Sequence, residues 1–146
     1  MIQALLKAIK IKIDADSGAA GVYTAVSGRR YVSPQVDRTT GGGTSKYPFM
    51  TYTPITDAPL GEFTATPIER VRVQFSVFDN SDSNSPNRCT QIMGKLTTLF
   101  DDGVNLDLTA YGFTKAPAIR ESGPHGPMRI EGAWQMTVDY MFVFSV

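Results

Sequence analysis

Cysteine and histidine are nearly missing from this sequence. Among 146 residues there is one cysteine, Cys89, and one histidine, His125. A single cysteine excludes an internal disulfide framework and a thiolate metal cluster, and fits a protein made in a reducing cytoplasm. Charge of one sign is missing too. Fourteen basic and fourteen acidic side chains cancel to a formal net charge of zero, which gives no general pull toward nucleic acid or a membrane surface. No uninterrupted apolar run is long enough to cross a bilayer. The opening MIQALLKAIKIKIDAD carries lysines inside its apolar run and no small-residue cleavage site, so it reads poorly as a secretory signal. There are no internal repeats.

Catalytic signatures are also lacking. Gly41-Gly42-Gly43-Thr44-Ser45-Lys46 is no phosphate loop: Ser45 stands where glycine must precede the lysine, and Pro48 follows where a helix must begin. Asp79-Asn80-Ser81-Asp82-Ser83-Asn84 is no calcium loop, because its sixth position is Asn84 and its twelfth is Thr90. Asp101 and Asp102 are adjacent and do not share a helical face, so they read as solvated. His125 sits in a Gly/Pro turn, and Cys89 lies on the apolar stripe of a helix, where it acts as a small hydrophobe. Trp134, Tyr140, Phe142 and Phe144 could stack bases, with Arg70 and Arg72 supplying charge. The neutral balance and the lack of an RNA-binding signature argue against it. The chain therefore reads as non-enzymatic, with no cofactor and no metal site.

What is present is alternation. From Met128 to Val146 every second residue is apolar or glycine (Met128, Ile130, Gly132, Trp134, Met136, Val138, Tyr140, Phe142, Phe144, Val146). The residues between start polar and turn apolar near the end. Period two marks a strand with one buried face. At ~3.3 Å per residue this stretch would approach ~60 Å, so a bulge at Gly132 or a projecting strand is expected. A second alternation runs through Arg70–Phe78, with Val71, Val73, Phe75 and Val77 on one side; this strand is expected near the sheet centre.

Residues 1–13 predict a helix, with Ile2, Leu5, Leu6, Ile9 and Ile13 on one stripe. A loop over 14–21 and a short strand over 22–26 follow. Ser27 to Tyr47 is long and irregular, and residues 27–46 hold Arg29, Arg30, Arg38 and Lys46 against one acid, Asp37. A basic, glycine-containing loop of this kind can order on a partner surface. Pro48–Tyr52 predicts a strand and Asp57–Thr66 a turn-rich passage. Ser85 and Pro86 predict a helix start, and the helix should reach about Phe100, with Cys89, Ile92, Met93, Leu96, Leu99 and Phe100 inward and Gly103 ending it. Val104–Tyr111 predicts an extended piece. Phe113–Glu121 should pair with the last strand through a turn at Gly123-Pro124-His125-Gly126-Pro127. The fold class expected is α+β: one domain, a mostly antiparallel sheet with two helices on one face, and a long C-terminal hairpin.

This order resembles the small tail-completion or tail-terminator proteins of long-tailed bacteriophages. The resemblance spans most of the chain and lies in patterns: IQALLKAIKIKI as the amphipathic helix, Val22-Tyr23, Tyr47-Pro48-Phe49-Met50, VRVQFSVFDNSDSNSPNRCTQIMGKLTTLFD as strand, polar turn and helix, then NLDLTAYGF, and RESGPHGPMRIEGAWQMTVDYMFVFSV closing the chain. The sequence departs from the family in its 27–46 loop. The resemblance implies a ring, usually six-fold, that caps the finished tail tube and joins it to the head–tail connector. DNA would pass through without being read. Partners would be further copies, a tail-tube protein and a connector protein, with no membrane; the site would be the virion, after assembly in the host cytoplasm. Alternatives are a tail-tube or head–tail connector subunit, or a non-enzymatic binding module. The residues expected at subunit or partner interfaces are Arg29, Arg30, Arg38 and Lys46 in the loop, and His125 and Arg129 at the hairpin.

Overall fold

The computed structural model describes residues 2–32, 47–60, 68–80, 86–130 and 132–145. Helix α1 spans Ile2–Ala15 and buries Ala4, Leu5, Ala8, Ile9 and Ile13. The stripe repeats every three to four residues, so one side meets the core while Lys7 and Lys10 stay outside.

Val22–Ala25 is a short helix, α2, and not the expected strand. Val22 and Val26 are both fully buried. Residues four apart share a face in a strand and in a helix alike, so the apolar pattern did not separate the two. What decides is Asp16, whose carboxylate accepts the Val22 N–H at 2.8 Å and stabilises a helical start.

Among the described residues the sheet has five strands, β1 (Arg30–Val32), β2 (Phe49–Leu60), β3 (Ile68–Asp79), β4 (Ala118–Ile130) and β5 (Ala133–Ser145), in the order β1-β2-β3-β5-β4. β1 is Arg30–Val32, inside what the sequence suggested was loop, and runs parallel to Met50–Tyr52. β2 is Phe49–Leu60. It runs through the start of the expected turn-rich passage: Asp57 to Leu60 pair with Val71 back to Ile68, after a bulge between Pro54 and Thr56. Residues 61–66 of that passage lie outside the described residues. β3, Ile68–Asp79, lies between β2 and β5 at the centre, as expected.

Helix α3 spans Asn87–Phe100 and buries Cys89, Ile92, Met93, Leu96 and Phe100. Pro86 stands at the N-cap, one place earlier than the first helical position; Ser85 lies outside the described residues. The Val104–Tyr111 stretch is extended only at a bridge from Leu106 to Ala116, then tightens into a 3-10 turn at Thr109–Tyr111. Asp107 causes that turn, accepting the Thr109 N–H at 2.9 Å.

The C-terminal hairpin joins β4, Ala118–Ile130, to β5, Ala133–Ser145. Its turn contains Gly132, at φ +82°, and not the expected Gly123–Pro127. Those five residues are part of β4. They form bulges because Gly123 and Gly126 take φ of +92° and +99°, which lets extra residues loop out without ending the pairing. The long alternating stretch is thus divided at Gly132.

One face of the sheet meets the helices. Val71, Val73, Phe75 and Val77 of β3 and Val138, Tyr140 and Phe142 of β5 are fully buried there with Leu5, Ile9, Leu96 and Phe100. Phe100 holds the centre, its ring 4.8 Å from Phe75 and 5.5 Å from Tyr140. Offset and edge-on rings at such distances add to the area they bury.

Candidate functional site

The second face of the sheet bears the features that hydrophobic burial does not explain. By strand alternation it carries Phe49 and Phe78, Thr51 and Ser76, Arg70, Arg72 and Gln74, then Gln135, Thr137, Asp139, Met141 and Val143, with Ile119, Ser122, His125 and Met128 from β4. Among the described residues no helix packs on it. At one end Phe49 stacks on Phe78 at 4.7 Å, and Tyr31 and Tyr47 flank Phe49 at 6.1 and 5.3 Å.

At its centre Arg72 Nη2 meets Asp139 Oδ2 at 2.8 Å. Asp139 is buried, and among the described residues its other oxygen, Oδ1, and Arg72 Nε have no hydrogen-bond partner. Breaking this pair would leave an uncompensated charge, which makes it costly to disturb. Beside it Ser122 Oγ lies 2.5 Å from His125 Nε2. A cavity of about 190 Å³ is bounded by His125, Met128, Gln135 and Thr137.

The expected interface arginines have other work. Arg29 donates from Nε to the Pro48 carbonyl and from Nη2 to the Tyr47 carbonyl, both at 2.9 Å. Arg30 grips the Asp14 carboxylate with Nε and Nη2 at 2.5 and 2.8 Å, donates to the Gly28 carbonyl, and lies over the Tyr23 ring. Asp14 is held below the ordinary carboxylate range, chiefly by that bond from Arg30. These two arginines tie α1, α2 and β2 together. Their partners lie up to nineteen positions away, beyond the reach of a local reading. Arg38 and Lys46 lie outside the described residues. His125 is exposed on β4, and Arg129 covers the Trp134 ring at 5.6 Å.

Other sequence candidates are absorbed into the fold. Asp101 is not merely solvated: Tyr140 donates to it at 2.8 Å and Arg120 pairs with it at 2.9 Å. Asp102 pairs with Lys12 at 2.8 Å. Cys89 contacts the Val77 and Trp134 carbonyls, and burial pushes its thiol up to about 11, so little reactive thiolate forms near neutrality. Tyr140, Phe142 and Phe144 are buried, which removes the base-stacking platform. Among the described residues no three His, Cys, Asp or Glu side chains group as metal ligands. A groove of about 740 Å³ on the helix side, bounded by Asp16, Gln91, Lys95, Thr98 and Asp102 with Ala20, Gly94 and Leu99, is mostly lined by these two helix-end acids and one side of α3.

The feature not foreseen is exposed apolar surface. Ile68, Ile119, Met128 and Ile130 are 36%, 47%, 58% and 45% exposed; Ile68 and Ile119 lie towards one end of the sheet with half-buried Met141 and Val143, while Met128 and Ile130 stand at the hairpin end, opposite Gln135 and Ala133. The signal for it was the turn to apolar residues on the second side of β5. Compared with known proteins, the chain matches no family model and no curated sequence. Among the described residues no helix is long and apolar enough to cross a membrane.

Proposed function

We propose that this chain is a structural subunit of a closed ring that caps the tail tube of a long-tailed phage and joins it to the head–tail connector. The observation that carries the reading is the exposed apolar series Ile68, Ile119, Met128 and Ile130 on the second face and hairpin of the sheet. Apolar side chains exposed along an edge hairpin suit a contact between subunits. Three elements of the pattern support the reading: an amphipathic helix first, a strand leading to a second helix, and a closing hairpin; Val22-Tyr23 and the Leu106–Leu108 stretch, strands in that pattern, are here a helix and an isolated bridge. A closed ring is built from repeated heterologous contacts, for which an apolar hairpin on one side of the subunit is suited. The zero net charge leaves DNA free to pass. The ring acts in the virion.

The test is mass by light scattering after size exclusion, with negative-stain microscopy and sedimentation with purified tail tubes. Closed rings of a few copies, or single copies that collect at tube ends, are expected. Long tubes would replace this reading with a tube subunit. A monomer that ignores tail tubes would overturn it.

A further inference from the structure

β4 is thirteen residues long and stands at the edge of the sheet, with no described strand beyond it. Ile119, Met128 and Ile130 are exposed on it, between the charged Arg120, Glu121 and Arg129. A long exposed edge offers a row of backbone donors and acceptors to any other strand and is the usual template for uncontrolled pairing. This edge is not flat, however. From Ala118 to Ile130 β4 takes twelve steps, while β5 takes nine from Phe142 to Ala133, and the register shifts three times, before Ser122, before His125 and before Met128.

Two of those shifts have one construction, Gly-Pro. A Cβ on Gly123 would lie 2.9 Å from the Thr137 carbonyl oxygen, and one on Gly126 would lie 2.8 Å from that of Gln135. Each glycine presses against β5 as no other residue could. Each following proline, Pro124 and Pro127, lacks an N–H, so two donors are missing from the middle of the edge. Bulges also bend and twist the outer backbone out of line with a straight strand. The sheet's opposite edge, β1, is protected by brevity, being three residues long.

We infer that the paired Gly-Pro bulges of β4 are an edge guard, which prevents a second copy of this chain from adding a strand to the sheet. The guard follows from the register of β4, and it stands or falls separately from the ring reading, because its test compares a variant with its own parent whatever the parent's assembly.

The test removes the guard. Deleting Gly123 and Gly126 together with Pro124→Val and Pro127→Thr leaves Ser-Val-His-Thr-Met, which pairs residue for residue with Asp139 back to Gln135. A second variant, Pro124→Ala with Pro127→Ala, restores both N–H groups and leaves both glycines and the length of β4 unchanged. Both are measured beside the parent by circular dichroism, light scattering over a dilution series, and amide hydrogen exchange. The shortened variant should keep its strand signal and rise in mass with concentration by at least about twofold over the parent, the step made by strand addition, with new protection on β4. The proline variant should rise less. If the shortened variant folds and keeps the parent's mass at every concentration, the inference is overturned. If it fails to fold, the proline variant decides: a concentration-dependent rise with β4 protection supports the guard, and an unchanged mass overturns it.

Discussion

β4 and β5 are neighbours of equal length, thirteen residues each, in one hairpin. β5 sits between two strands, pairs with β3 in unbroken register from Trp134 to Ser145, and sends Met136, Val138, Tyr140, Phe142 and Phe144 into the core. β4 has one described neighbour, three register shifts and no fully buried side chain. The difference comes from position more than composition. A strand flanked on both sides must keep strict alternation, because one slip would reverse every side chain across both faces. A strand at the edge can carry extra residues and proline without disturbing anything but itself.

The sharpest way to break the comparison is truncation on each strand. Phe142→Ala on β5 should cost about 3–5 kcal/mol, the range for emptying a buried aromatic site. Ile119→Ala on β4, at 47% exposure, should change stability by no more than about 0.5 kcal/mol. Both are read from denaturant unfolding of parent and variants under identical conditions. Comparable losses at the two sites would mean that β4 contributes to the core as β5 does. The expected split would confine the stabilising role to β5.

Backbone gives the next effect, and here β4 is the more sensitive strand. Gly126→Ala forces a side chain into φ +99° and against the Gln135 carbonyl, and should cost about 1–3 kcal/mol. Gly132→Ala, at φ +82° in the hairpin turn, meets no atom within 4 Å, so it isolates the cost of backbone conformation from that of crowding. Thermal unfolding of the two variants separates them: a larger loss at Gly126 assigns the excess to the bulge pressed on β5. Equal losses would show that the crowding relaxes away.

What could be read in advance follows the same division. β3, β5, α1 and α3 were legible because burial on one face imposes a period, and a period is visible in one dimension. β4 was not, because Gly123-Pro124 and Gly126-Pro127 have the composition of a turn, and only the facing carbonyls of β5 show that they are bulges. The end of β2 was hidden for a related reason: Pro54 and Pro59 suggest interruption, yet a strand with no described neighbour on its second side there tolerates them. α2 was hidden by a spacing common to both periods. For the candidate site, Arg29 and Arg30 looked free because nothing nearby in sequence opposes them. Their partners, the Tyr47 and Pro48 carbonyls and Asp14, are brought in by the fold. The exposed apolar row on β4 was readable residue by residue, but not as a surface until the register placed it at an edge.

The smallest effect concerns a polar tip that β5 sends into the core. The Tyr140 hydroxyl donates to Asp101, which also holds Arg120 of β4, so this carboxylate links the two strands through the end of α3. Burial first, and then the bond to Asp101, hold the phenol above its ordinary value, which is about 10. The neutral phenol is the form the fold favours. Its contribution is therefore complete below about pH 10 and fades as pH climbs from there through the raised value. Tyr140→Phe should cost about 1 kcal/mol at neutral pH, the net worth of one hydrogen bond, and should lessen the alkaline fall of stability expected of the parent. Unfolding measured at neutral pH and again above pH 10 checks both parts. A variant that loses stability on the alkaline side as steeply as the parent would remove Tyr140 as a source and leave the fall to the other groups that burial holds above their ordinary values, Cys89 and Tyr52.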